Sequence, residues 1–169
     1  CSSDLLLAFL LEARGAPGSY LGIDPDARKV SRAEAWLGLS PRRTFRACEL
    51  AELPGERFDA VSVVDVLYLV PREARAAFVA GVAARLADGG RVVVLTSGGG
   101  PRWKRLLDRL QERLVVVGLG WTRGSAVEPC DGAEVAALLA AAGLVDVRVE
   151  DAGTGYLHGF DLVSGRKPG

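Results

Sequence analysis

The sequence predicts an α/β fold, a mainly parallel sheet covered by helices on both faces. Three observations carry it: short apolar or β-branched runs alternate with longer segments of helical spacing, Gly/Pro-rich turns separate them, and the last two runs follow one another with no helix between. The final pair is therefore expected to be antiparallel. Right-handed crossovers narrow the topology further.

Taking the elements in order, Leu5 to Arg14 is Leu-rich and stopped by Gly15-Ala16-Pro17-Gly18, which reads as a helix buried on most sides. Tyr20 to Ile23 is a short strand that runs into the acidic turn Asp24-Pro25-Asp26, and Ala27 to Leu37 places Val30, Ala33 and Leu37 on one helical face. Thr44 to Leu50 reads as a second strand. After the turn signal Pro54-Gly55, Phe58 to Val64 is a nearly continuous β-branched run of the kind covered on both faces. Pro71 suits the first residue of a helix through Leu86, where its missing N–H would have no partner, and Gly89-Gly90 close that helix.

Arg91 to Leu95 is the next buried strand, ended by Gly98-Gly99-Gly100-Pro101. Arg102 to Val116 is amphipathic, with Trp103, Leu106, Leu107, Leu110 and Leu114 on one face, and Gly118 to Pro129 is irregular. Glu134 to Ala142 is a helix capped by Gly143, followed by the strands Leu144 to Glu150 and Phe160 to Ser164. All 169 residues are expected to form one domain, of which residues 101–131 are the least regular part.

Composition excludes several classes. At 49% hydrophobic and 25% charged residues the chain has too much apolar surface to stay disordered. Lys+Arg 21 against Asp+Glu 21 leaves no net positive field to attract a phosphate backbone, so nucleic acid is not the expected partner. Leu5 to Leu11, the longest apolar stretch, is far short of the roughly 20 residues a membrane span needs. Three cysteines, Cys1, Cys48 and Cys130, have no metal-like spacing and form no disulfide framework, so no metal is expected and a reducing cytoplasm fits. The oligomeric state is not legible.

In an open parallel sheet, ligands bind beyond the carboxyl ends of the strands. Asp24 follows the first such strand, and an acid there can accept from both hydroxyls of a ribose; the other reading is a cap on the next helix. Asp65, Val66, Leu67 and Tyr68 follow the Phe58 to Val64 strand, and Thr96-Ser97 with three glycines follow the next. Those glycines permit close backbone approach to a ligand, or serve as a plain connector.

The stretches "YLGIDPDARKVSRAEA", "FDAVSVVDVLYLVP", "ARLADGGRVVVLT" and "LLAAAGLVDVRVE…GFDLVSGRK" together resemble class I S-adenosylmethionine-dependent methyltransferases over nearly the whole chain. The resemblance implies a Rossmann-like sheet whose last strand is antiparallel, S-adenosylmethionine as cofactor, and methyl transfer to a small molecule. It matches Asp24, with Pro25 beside it, to the ribose acid, and Cys48 or Glu49, ambiguous by one, to the residue near the adenine. Asp65, Val66 and Tyr68 match the loop beside the methionine part and the acceptor. An aromatic face such as Tyr68 attracts a sulfonium by roughly 0.5 to 2 kcal/mol, while a core tyrosine is the alternative.

The start departs from that family. Its first strand and glycine-rich turn should precede the first helix, but only Cys1-Ser2-Ser3-Asp4 stand there, and Ser2 and Asp4 occupy glycine positions. Side chains at both positions would crowd the cofactor's carboxylate and ribose, and Asp4 would also repel that carboxylate; Ser2 remains a cofactor-binding position. The Cys1 start and absent Met fit truncation, with a degenerate site or the lipidated Cys of a lipoprotein as the other readings. His158, the only histidine, is the candidate base for a hydroxyl acceptor or else a surface-loop residue; Tyr68 and Tyr156 are alternatives. The resemblance also implies that residues 101–131 are an insertion over the substrate, where Trp103 and Trp121 suggest a hydrophobic or lipid-like acceptor, or else ordinary helix packing. Two other functions fit less of the chain: a non-catalytic interaction module of the same fold, and a nicotinamide-dependent oxidoreductase.

Overall fold

A computed structural model describes residues 13–15, 18–37, 42–53, 55–97, 128–153 and 159–169. The chain divides into two compact units, Cys1–Gly55 and Glu56–Gly169. In the first, strand β1 (Tyr20–Ile23) leads through the acidic turn into helix α1 (Ala27–Leu37), and strand β2 (Arg43–Arg46) returns parallel to β1. Tyr20 pairs with Arg43 and Ile23 with Arg46, so both strands end at the same edge. Gly22 is required there. A Cβ at this position would lie 2.7 Å from the Phe45 ring, which also meets Tyr20 edge-on with 6.0 Å between centroids. Val30 and Ala33 form the buried face of α1, at the spacing the sequence predicts.

β2 is shorter than the expected Thr44 to Leu50. Its chain turns back at Cys48, whose N–H donates to the Arg46 carbonyl (3.2 Å), and Leu50–Glu52 form a 3-10 turn. Glu52 stabilises that turn by accepting from the Glu49 N–H at 2.7 Å.

The second unit holds strand β3 (Phe58–Val64), helix α2 (Arg72–Ala84), strand β4 (Leu86–Ser97), helix α3 (Gly132–Ala141), strand β5 (Val145–Asp151) and strand β6 (Phe160–Arg166). The sheet order is β3-β4-β6-β5. β3 and β4 are parallel, while β6 runs antiparallel to both β4 and β5. β6 alone therefore opposes the other three, as expected for the terminal pair. The two helices touch each other, α2 packing on β4 and α3 on β5 and β6. Beneath them Val92, Val94 and Val163 are at most 2% exposed, and each such side chain contributes roughly 1.5–3 kcal/mol of hydrophobic stabilisation.

Burial in β4 alternates rather than covering both faces: Val92, Val94 and Thr96 are buried, Arg91 and Val93 exposed. The expected helices Leu5 to Arg14 and Arg102 to Val116 lie outside the described residues apart from Ala13 and Arg14.

Two helix limits are corrected. Pro71 is the extended N-cap of α2 rather than its first helical residue, with its carbonyl accepting from the Ala74 N–H. The helix stops at Ala84 instead of Leu86, because the Arg85 carbonyl is captured by the Phe58 N–H at 2.8 Å and Leu86, fully buried, starts β4 opposite Phe58. Gly89 and Gly90 consequently lie inside a strand. A Cβ on Gly90 would sit 2.8 Å from the Ala87 carbonyl oxygen, so the irregular start of this strand needs glycine. Among the described residues, no helix is long and apolar enough to cross a membrane.

Candidate functional site

In the first unit, the carboxyl ends of β1 and β2 bring two of the expected site positions together. The Arg46 carbonyl accepts from both the Asp24 N–H (3.3 Å) and the Cys48 N–H (3.2 Å). Asp24 is well oriented. Its Oδ1 accepts from the Asp26 N–H at 2.8 Å, Lys29 Nζ lies 3.4 Å from Oδ2, and its side chain is 13% exposed. The helix-capping bond comes instead from Asp26, whose Oδ1 accepts from the Arg28 N–H at 3.0 Å. Asp26 also binds the Arg28 guanidinium at 2.8 Å, and that hydrogen bond holds its carboxyl well below the usual carboxylate range. The cap reading for Asp24 is thereby corrected.

Pro25 is the exposed residue between these two acids. Of the two adenine-side candidates, Cys48 is half-buried at the strand end and Glu49 is exposed.

In the second unit β3 ends with Val64 opposite Leu95, two residues before the end of β4, and the Asp65 N–H donates to the Leu95 carbonyl at 3.1 Å. Asp65 has φ 52°, a left-handed conformation that aspartate tolerates better than most residues. The chain then makes a 3-10 turn, Leu67–Leu69, which buries Leu67 to 2% exposure and leaves Val66 and Tyr68 half-buried. Asp65, Val66 and Tyr68 thus share one short loop at the end of the sheet where the sequence expects them.

Sequence reasoning missed the residue beneath that loop. Arg75, on α2, is 1% exposed and donates from Nε to the Val70 carbonyl (3.1 Å), from Nη2 to the Glu128 carbonyl (2.6 Å) and from Nη1 to Glu134 Oε1 (2.9 Å). The signal was present: Arg75, Val79, Val82 and Ala83 lie on the one buried stripe of the helix. An arginine on an apolar stripe needs buried partners. Nearby, Thr96 Oγ1 donates to the Cys130 carbonyl at 2.6 Å, and burial pushes the Cys130 thiol up to about 11.

Ser2, Asp4, Tyr156 and His158, and residues 98–127 of the expected insertion and its approach, lie outside the described residues. Among the described residues no group of three His, Cys, Asp or Glu side chains could hold a metal ion.

The arrangement fits an adenosyl group in its chemistry. An anionic acceptor at a strand end, held by Asp26 and balanced by Lys29, suits a vicinal diol.

The family of methyltransferase domains matches residues 1–94. Among solved structures, the apo form of the S-adenosylmethionine-dependent methyltransferase SibL has a TM-score of 0.70 at 23% identity, covering 95% of this chain and 46% of that one. An O-methyltransferase family protein from Burkholderia thailandensis also has a TM-score of 0.70, at 19% identity, over 96% of this chain and 47% of its own. Magnesium protoporphyrin IX methyltransferase from Synechocystis PCC 6803, with bound SAH, has a TM-score of 0.63 at 17% identity, over 98% and 82% of the two chains. At these identities the likeness is one of fold. The chain spans about half the length of the first two. No curated protein matches it in sequence.

Proposed function

Because the chain belongs to the methyltransferase-domain family, we propose that it binds S-adenosylmethionine and transfers the donor's methyl group to a small acceptor. The observation that carries this reading is the oriented Asp24 carboxylate at the end of β1, with Cys48 sharing its backbone anchor at the end of β2. When bound, S-adenosylmethionine supplies a methyl group on a sulfonium together with a thioether leaving group, so the protein's task is chiefly orientation.

Asp24 would accept hydrogen bonds from the ribose hydroxyls. Cys48 or Glu49 would border the adenine, and Asp65 and Val66 would border the methionine part. Tyr68, on the same loop, would offer an aromatic ring to the positive charge. For a hydroxyl acceptor, His158 is the candidate base. The apolar content of residues 101–131 supports a hydrophobic or lipid-like acceptor, and zero net charge argues against nucleic acid. Cysteine usage supports a cytoplasmic setting. The antiparallel β6 between β4 and β5 favours this reading over a nicotinamide-dependent oxidoreductase.

Calorimetric titration of the full-length protein with S-adenosylhomocysteine tests the proposal. Saturable one-site binding is expected. Absence of binding would overturn it and favour a non-catalytic module of the same fold.

A further inference from the structure

We propose that Arg75 is a positioning residue for the donor-side loop, Asp65 to Val70, clamping it from beneath; its link to methyl-donor binding rests on the functional reading above. The loop begins at the left-handed Asp65 and ends in a single 3-10 turn, so its last carbonyls have no partner within the turn. Two of them are taken from outside. The Val70 carbonyl accepts from Arg75 Nε at 3.1 Å, and the Tyr68 carbonyl accepts from the Glu128 N–H at 3.1 Å.

Glu128 is itself gripped by Arg75. Its carbonyl accepts from Nη2 at 2.6 Å, its carboxylate lies 3.9 Å from that nitrogen, and the same carboxylate accepts from the Arg72 N–H at 3.2 Å. Nη1 adds the neighbouring Pro129 carbonyl at 3.4 Å and Glu134 Oε1 at 2.9 Å. One buried guanidinium therefore joins the end of the loop after β3 to the segment entering α3, holding the Val70 carbonyl directly and the Tyr68 carbonyl through Glu128.

Only a planar fork with several fixed donors spans these acceptors at once. A lysine ammonium keeps the charge opposite Glu134 but presents its donors from a single point. A side chain that merely filled the core would not need this hydrogen-bond set, and a buried charge is costly compared with an apolar residue of similar size.

The test compares Arg75→Lys and Arg75→Gln with Val82→Ala in the full-length protein. Val82 is buried on the same helix, and its truncation costs core packing without removing a bond to the loop. Amide hydrogen exchange over residues 65–70 and S-adenosylhomocysteine affinity are read at a temperature where every variant is folded. For the Arg75 variants, exchange in the loop should rise by about tenfold or more, and affinity should fall by about fivefold or more. Val82→Ala should lower the melting temperature yet leave both readouts within about twofold of the parent.

Parent-like loop exchange in both Arg75 variants overturns the clamp, as does an equal change in Val82→Ala. Faster exchange with unchanged affinity overturns the link to the donor. A parent protein that binds no S-adenosylhomocysteine refutes the functional reading and that link together, and the exchange measurement still decides whether Arg75 holds the loop.

Discussion

Replacing Asp24 with asparagine isolates the charge of the proposed ribose ligand from its shape. The amide oxygen of asparagine can still accept from the Asp26 N–H, a 2.8 Å bond in the parent, so the turn before α1 should survive. The ion pair with Lys29 is lost, but that lysine is half exposed and its nitrogen is 3.4 Å away, a pair worth about 0–1 kcal/mol. Stability should therefore change little. Ligand affinity should change much more, because hydrogen bonds to a charged group contribute about 1.5–3 kcal/mol against about 0.5–1.5 for neutral pairs. Two ribose hydroxyls would then lose about 2–3 kcal/mol together, or roughly 30- to 140-fold in Kd.

The assay is calorimetric titration of the full-length protein with S-adenosylhomocysteine, with thermal melts as the check on folding. Lys29→Met serves as the control, since it removes the ion pair and keeps the carboxylate; its affinity should stay within about threefold. If Asp24→Asn also binds within about threefold of the parent at an unchanged melting temperature, the ribose assignment is wrong.

Three further outcomes follow from the geometry. Asp65→Gly should be more stable than Asp65→Ala by about 1–2 kcal/mol, because φ 52° is penalised in alanine and not in glycine; equal denaturant midpoints would contradict the strain argument. Gly132→Ala should cost about 1–3 kcal/mol, since its Cβ would fall 2.8 Å from Asp161 Cβ and Oδ2 and from Val149 Cγ1; an unchanged melting temperature would show that β5 and β6 yield easily there. Cys130 is fully buried with its thiol raised from 9.0 to about 11, so its contribution to stability is intact below pH 9 and is lost as the pH rises toward 11. Melts across that interval should show the parent losing stability relative to Cys130→Ala, and parallel curves would refute the burial argument.

The parts of the fold legible in the sequence are those whose cause is local. β1, α1 and β3 have the residue limits expected from apolar runs, helical spacing and the turns that bound them. The acid at position 24 stands at a strand end because strand, acidic turn and helix follow one another in sequence. Family resemblance adds the role of that acid, which periodicity alone leaves undecided between ligand and cap. Asp26 resolves the capping half of the choice only once the side chains are in place.

Where distant segments compete for the same backbone, sequence was a poor guide. Gly89-Gly90 looks like a helix stop, yet the helix ends earlier because Phe58 takes the Arg85 carbonyl and draws Leu86 into the sheet. The same holds for Arg75. Its partners at 70, 128, 129 and 134 are separated by up to 59 residues along the chain, and no local pattern announces them. Amino-acid order by itself determined the α/β class, the limits of β1 and β3 and the carboxylate placed at the end of the first, because these follow from near-neighbour sterics and hydrophobic spacing. Tertiary structure alone decided which buried donor holds which loop, because a hydrogen bond across the fold exists only after packing has brought its two ends together.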